Sequence, residues 1–350
     1  MTTLAAAPPL PTRFRRDRRG GVALLTGVAM VPLLLAAGIA VDLSRAAQFR
    51  SALQAAADSA ALAGAAAYNT GTDAAAATTV ADTYMTQAEA SLPTNLGVTF
   101  SATPQAITNS AGTVIGYTVA VSAQGSIATT FMALAVSSVS AHIAAKALNP
   151  VVSINASLGN WKSSAWDANS IYWYVVPSDG SLPASSALHM LFTNTGPAPT
   201  SLPTIQLTAA QKIGFALKNV TGGIHGYGPN QYGSAQGHTN WIYSQLSPPS
   251  ASAYPTEAAN CSLQVVVATA SNPTPAETPG SCSSGTPAHA TVNCGQMAGQ
   301  SIFFFWNDMG GGTDDYDYND AQYSLTCGTP TGGNPLSASL PAPTTVVLIQ

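Results

Sequence analysis

Charge is what this sequence has least of. Only 7% of its 350 residues are Asp, Glu, Lys or Arg, against roughly 25% in an ordinary globular domain. Ala, Ser, Thr and Gly take their place. Hydroxyls and amides must therefore solvate the surface, which is commoner in secreted and cell-surface proteins than in cytosolic enzymes. The few cations are unevenly placed. Arg13, Arg15, Arg16, Arg18 and Arg19 precede the first apolar run, while the acids gather near residues 308 to 320. No basic stripe follows, so nucleic-acid binding has no electrostatic footing.

Catalytic signatures are missing too. There is no GxSxG and no HExxH. His142 stands alone on an apolar background and reads as a packed structural residue. His225 and His238 share a Gly/Asn/Tyr-rich loop that could hold a metal or a general base. The expectation is a non-enzymatic protein, with a calcium-dependent hydrolase as the enzymatic alternative.

One long apolar run is present. Gly21–Val41 carries no charge, and at ~1.5 Å per residue it spans about 31 Å, the thickness of a bilayer core. A secretory signal has a shorter apolar core, about 7 to 15 residues. Length therefore favours an uncleaved anchor, although the small residues at 38–40 and 44–46 leave cleavage open. The arginines before the run keep the N-terminus cytoplasmic and send the rest across, into the periplasm or outside the cell. From Asp42 to Ala67 the chain is Ala-rich, with Phe49, Leu53 and Leu62 near helical spacing. The helix is thus expected to leave the membrane and continue for several turns, the plan of a pilin.

The stretch from about residue 13 to 67, and more loosely to about 147, resembles the N-terminal segment of TadE/TadG-like proteins of Flp (Tad) pilus assembly. The basic stretch ending in Arg19-Gly20, the apolar helix with Pro32, the Val41-Asp42 exit and the run from Leu53 to Ala63 carry the resemblance. It implies a membrane partner and pilus-assembly or pilin partners. Leu25 and Thr26 stand where pseudopilin-type members carry Glu, so the resemblance favours the TadG-like, unprocessed anchor.

Beyond the anchor the reading is a small α+β unit, then an antiparallel β-sandwich of jelly-roll type. The expected divisions are 1–20 cytoplasmic, 21–41 transmembrane, 42–148 the exported helix and α+β region, 149–327 the sandwich and 328–350 a tail. Residues 68–92 read as loop and helix. Residues 98–102 and 114–122 read as strands. The stretch 124–147 is ambiguous, and admits a helix at 127–134 followed by a strand at 136–147. Strands are further expected at 170–176, 188–193, 213–217, 263–268, 301–306 and 321–326, with a last one at 344–349. Asn149-Pro150 marks the boundary between the two exported modules.

The chemical signal lies between two of those strands. Asp308 closes one, three glycines follow, and Asp314-Asp315-Tyr316-Asp317-Tyr318-Asn319-Asp320 opens the next. Asp308, Asp315, Asp317, Asn319 and Asp320 are hard oxygen donors at near-alternate positions, suited to a Ca²⁺ ion that takes six to eight oxygens. The spacing is not that of an EF-hand. A solvated acidic turn is the alternative, and the two tyrosines argue against it. The loop also resembles the D-x-D-[FY]-N-D signature of a β-rich domain of bacterial extracellular proteins, over about 150–327.

Four cysteines, Cys261, Cys282, Cys294 and Cys327, form no CxxC pair. On the exported side an even count reads as two disulfides, with three connectivities open. If the strands at 301–306 and 321–326 form a hairpin, Cys294 comes beside Cys327, leaving Cys261 with Cys282. The function expected is a membrane-anchored component of Flp/Tad pilus assembly with a calcium-stabilised head. A surface adhesin or glycan-binding protein is the alternative.

Overall fold

The computed structural model describes residues 18–92, 96–133, 135–160, 167–224, 237–247, 262–268, 273–275, 287–308, 318–330 and 344–349. Among the described residues there are two helices, α1 (Arg18–Ala67) and α2 (Ala74–Ser91), with a 3₁₀ turn at Gly71–Asp73. Twelve strands follow: β1 (Thr99–Thr108), β2 (Val114–Ala128), β3 (Ser138–Asn160), β4 (Ala168–Val175), β5 (His189–Thr193), β6 (Thr204–Thr208), β7 (Ile213–Val220), β8 (Thr239–Tyr243), β9 (Leu263–Ala268), β10 (Ser301–Trp306), β11 (Ala321–Pro330) and β12 (Val347–Leu348). One sheet has the order β1-β2-β3-β11-β10-β9, with β6 and β12 also on β3. The second is β5-β4-β7-β8.

The chain divides into two compact units. One holds 1–60, 81–102 and 121–145, and the other holds 61–80, 103–120 and 146–350. The first is built on α1. From Gly21 to Val41 every residue except Gly38 is exposed. From Gly38 onward buried residues recur at helical spacing: Asp42, Phe49, Leu53, Ala57 and Ala60. Alanines dominate this stripe because they favour helix and allow close approach.

The second unit holds the main core. Ile171, Phe215, Leu217 and Ile242 of the four-stranded sheet share it with Ile154, Ile302, Phe304, Trp306 and Leu325 of the other. Both sheets therefore cover one apolar interior. Phe215 meets Phe304 and Tyr323 with ring centroids 4.8 and 5.2 Å apart, and Trp306 Nε1 donates to the Tyr323 hydroxyl at 3.3 Å. Burial pushes the Tyr323 hydroxyl well above its ordinary pKa, so it stays protonated. Where Tyr174 of β4 pairs with Gly214 of β7, a Cβ on the glycine would lie 2.6 Å from the tyrosine ring.

One expectation from sequence needs correction. Residues 127–133, the described part of the possible helix at 127–134, contain none: β2 runs to Ala128 and a loop follows. Asn149-Pro150 lies inside the single strand β3. Asn149 is tolerated there because its amide is fully used. Its Nδ2 donates to the Tyr68 carbonyl at 3.1 Å, and its Oδ1 accepts from the Ala210 N–H at 3.2 Å. Pro150 has no N–H to pair, and its carbonyl accepts from Ala209. β11 likewise runs past 327 to Pro330. The tail returns as β12, with Val347 opposite Leu148 on β3.

β10 and β11 form the expected hairpin, with Ser301 opposite Thr326 and Trp306 opposite Ala321. Its open end brings Cys294 and Cys327 to a Cα–Cα distance of 5.1 Å, and they are disulfide-bonded. Cys261 and Cys282 lie outside the described residues. The bridge closes a loop of 33 residues, for which chain entropy gives about 3 to 4 kcal/mol. Selective reduction, or Cys294→Ala with Cys327→Ala, is expected to lower unfolding stability by about that amount in chemical denaturation.

Candidate functional site

The β10–β11 hairpin carries the acidic loop at its tip. Asp315 and Asp317 lie outside the described residues. Asp308, Asn319 and Asp320 flank the tip, and two of them meet: the Asp308 N–H donates to Asp320 Oδ2 at 2.8 Å. Tyr318 between them is buried with φ at 49°. A bulky residue in the left-handed region is costly and persists where surrounding structure fixes it. Here the buried ring and the Gln322 amide, which donates to the Tyr318 carbonyl at 3.1 Å, hold it.

Asp308 continues into a polar network that the sequence reading missed. Asn169, Asn219 and Asn240 lie opposite one another across β4, β7 and β8. All three are buried. Their amides form a directed chain. Asn240 donates to Asn219 at 3.3 Å, Asn219 to Asn169 at 3.1 Å, and Asn169 to Asp308 Oδ2 at 2.7 Å. Each amide that accepts also donates onward, so the dipoles align toward the carboxylate. A branch reaches Asp167, whose Oδ2 accepts from Asn219 at 2.8 Å and whose Oδ1 accepts from the Gly222 N–H at 2.7 Å. Asn194 closes the cluster, donating to the Asp167 carbonyl and accepting from the Asn169 N–H. Burial pushes the Asp167 carboxyl up, against the lowering effect of Asn219 and Gly222.

The clue in the sequence was Asn itself. It is depleted in strands, yet β4, β7 and β8 each carry one. Only the register shows that the three are neighbours. Chemically, the cluster offers carboxylate oxygens at Asp308 and Asp320, steadied by amides. Among the described residues, no three His, Cys, Asp or Glu side chains lie close enough to hold a metal ion together. A cation here would need the rest of the loop.

The other functional element is the exit of α1. Asp42 is buried and serves as an anchor for the loop after β2. Its Oδ1 accepts from the Thr130 N–H at 3.0 Å, and its Oδ2 accepts from Phe131 and Met132 at 2.8 Å each. Arg45, one turn on, lies 3.9 Å from Asp42 and donates to Thr130 Oγ1 at 3.1 Å. Desolvation raises the Asp42 pKa, but the three N–H groups and Arg45 together outweigh it and hold it below 3.8.

α1 has the length and composition to cross a membrane. Residues 20–67 match the TadE/G-like Flp pilus-assembly domain. The match ends on the last residue of α1 and covers all but its first two. It thus corresponds to the bare apolar half of the helix, the Asp42 exit and the packed half. No curated protein and no solved structure shows a significant match to the chain.

The Asp42 clamp is expected to titrate with a definite sign. A carboxylate whose folded pKa is depressed contributes fully above 3.8 and loses its contribution as pH falls through the lower folded value. Hydrogen exchange at the Thr130, Phe131 and Met132 amides, corrected for intrinsic rates, should show protection that disappears only in acid. Asp42→Asn should remove much of it at neutral pH. Unchanged protection in that variant would contradict the clamp.

Proposed function

We propose that this chain is a non-enzymatic, membrane-anchored envelope protein that serves Flp/Tad pilus assembly. In this reading α1 spans the inner membrane with its N-terminus inside and carries an exported β-sandwich head. One observation carries the proposal. The TadE/G-like match coincides with a helix that is bare and apolar over one half and packed over the other. The arginines before Gly21 supply the orientation, and the Cys294–Cys327 disulfide agrees with an oxidising compartment. Cell fractionation with protease protection tests it, using an antibody to the head. The head is expected in the membrane fraction, and cleaved only when protease reaches the periplasmic face. Deletion of the gene is expected to reduce Flp-type piliation. A head found in the cytosol would overturn the topology.

The head is further proposed to be calcium-stabilised. Support comes from the meeting of Asp308 and Asp320 at the hairpin tip and from the Asn chain that ends on Asp308. Asp315, Asp317 and Asn319 would complete the oxygen set. An ion that binds only the folded state at 100 times its Kd adds about 2.7 kcal/mol. Calcium is therefore expected to raise the melting temperature of the full chain in detergent, and EDTA to lower it. Asp308→Asn with Asp320→Asn should abolish both responses. An absence of any shift in the unsubstituted protein would sink the calcium reading.

A further inference from the structure

The loop between β2 and β3 presents a patch that neither pilus assembly nor calcium accounts for. From Phe131 to Val136 it reads Phe-Met-Ala-Leu-Ala-Val. Phe131 is 51% exposed and Val136 is 41% exposed, and Ala133 and Ala135 are exposed as well. Thr129, Thr130, Ser137 and Ser138 bracket it with hydroxyls.

Its position is specific. Phe131 packs on Gly38, where an added Cβ would lie 2.5 Å from the Phe131 ring carbon Cγ. Gly38 belongs to the apolar run and is the one buried residue between Gly21 and Val41. It lies three residues before the end of that run, or about 4.5 Å along the helix axis. A side chain touching Gly38 therefore sits at the depth of the outer bilayer boundary. Interfacial apolar groups enter about 5 to 10 Å.

Lipid admits backbone only when its polar groups are paired, and six N–H groups of this loop have partners in the loop itself or on Asp42. Asp42 takes the N–H groups of Thr130, Phe131 and Met132. The Met132 carbonyl takes those of Ala135 and Val136, and the Ser137 carbonyl takes that of Thr129. The Thr129 hydroxyl donates to the Val136 carbonyl. Arg45, with its side chain 47% exposed beside Thr130, is placed to reach lipid headgroups.

We propose that residues 130–133, with Ala135 and Val136, form a second membrane contact, an interfacial loop seated in the lipid boundary beside α1 and held there by Asp42. The occupant of the patch is the bilayer itself. The proposal rests on α1 being the anchor, and the test separates the two.

Cysteines are introduced singly into the full chain as Leu34→Cys, Phe131→Cys, Val136→Cys and Thr86→Cys. Each is labelled with an environment-sensitive fluorophore and placed in phosphatidylcholine–phosphatidylglycerol vesicles. The protein without an added cysteine gives the labelling background. Spin-labelled lipids quench at the headgroup level or at the chain ends, and iodide quenches from water. The expected result is quenching at Leu34 mainly from the chain ends, at 131 and 136 mainly from the headgroup level, and at exposed Thr86 from iodide alone. Val136→Cys leaves the Phe131 packing intact, so a perturbed 131 variant does not decide the outcome. Lipid quenching at Leu34 with only iodide quenching at 131 and 136 would overturn the loop contact and leave the anchor standing. This includes the case in which the patch serves a protein partner. Loss of lipid quenching at Leu34 would overturn the anchor and the proposal together.

Discussion

α1 changes what surrounds its side chains, from exposed to packed, without any change in its backbone, and it does so between Gly38 and Asp42. From Gly21 to Ala37 every residue of the helix is exposed. After Gly38 a stripe of one residue per turn is buried, and the first side chain in the stripe is a carboxylate. A buried carboxylate is expensive unless its oxygens are taken. The loop after β2 takes them with three consecutive N–H groups. The helix thereby fixes the loop, and the loop fixes the point at which the helix begins to pack. Gly38 is needed because the Phe131 ring occupies the space that any larger side chain would fill.

The scarcity of charge shapes the second unit in a different way. With few ions available, its buried polar groups are paired through amides. Asn169, Asn219 and Asn240 run across one sheet and end on Asp308, which follows a strand of the other. Leaving one such buried group unmade would cost about 1 to 3 kcal/mol. The chain therefore ties the hairpin tip to the four-stranded sheet, whether or not an ion joins it.

How far the sequence could be read follows from the range of the forces involved. The apolar run, the helix through Ala67 and the strands at 263–268 and 301–306 were legible, because periodicity and β-propensity are local. The Cys294–Cys327 bridge was legible because a hairpin register places it. The stretch 127–134 was not. Its Ala and Leu content suits a helix, and the carboxylate that holds the loop lies 88 residues away. Asn149-Pro150 has genuine turn chemistry, but Tyr68 and Ala210 supply the bonds that keep it in β3. At the acidic loop the sequence supplied the donors on the hairpin. It could not supply Asp167, Asn169 or Asn219, which reach the same place through strand pairing.

The two buried carboxylates show what this economy of charge permits. Asp42 and Asp167 each accept backbone and side-chain donors, yet their acidities move in opposite directions. Asp42 receives three backbone N–H groups and has a cation nearby, and these outweigh its desolvation. Asp167 receives one N–H and one amide, and desolvation prevails. The first is thus a settled anion that does structural work at every neutral pH. The second is the costlier of the two to ionise, and the Asn219 amide and the Gly222 N–H offset only part of that cost.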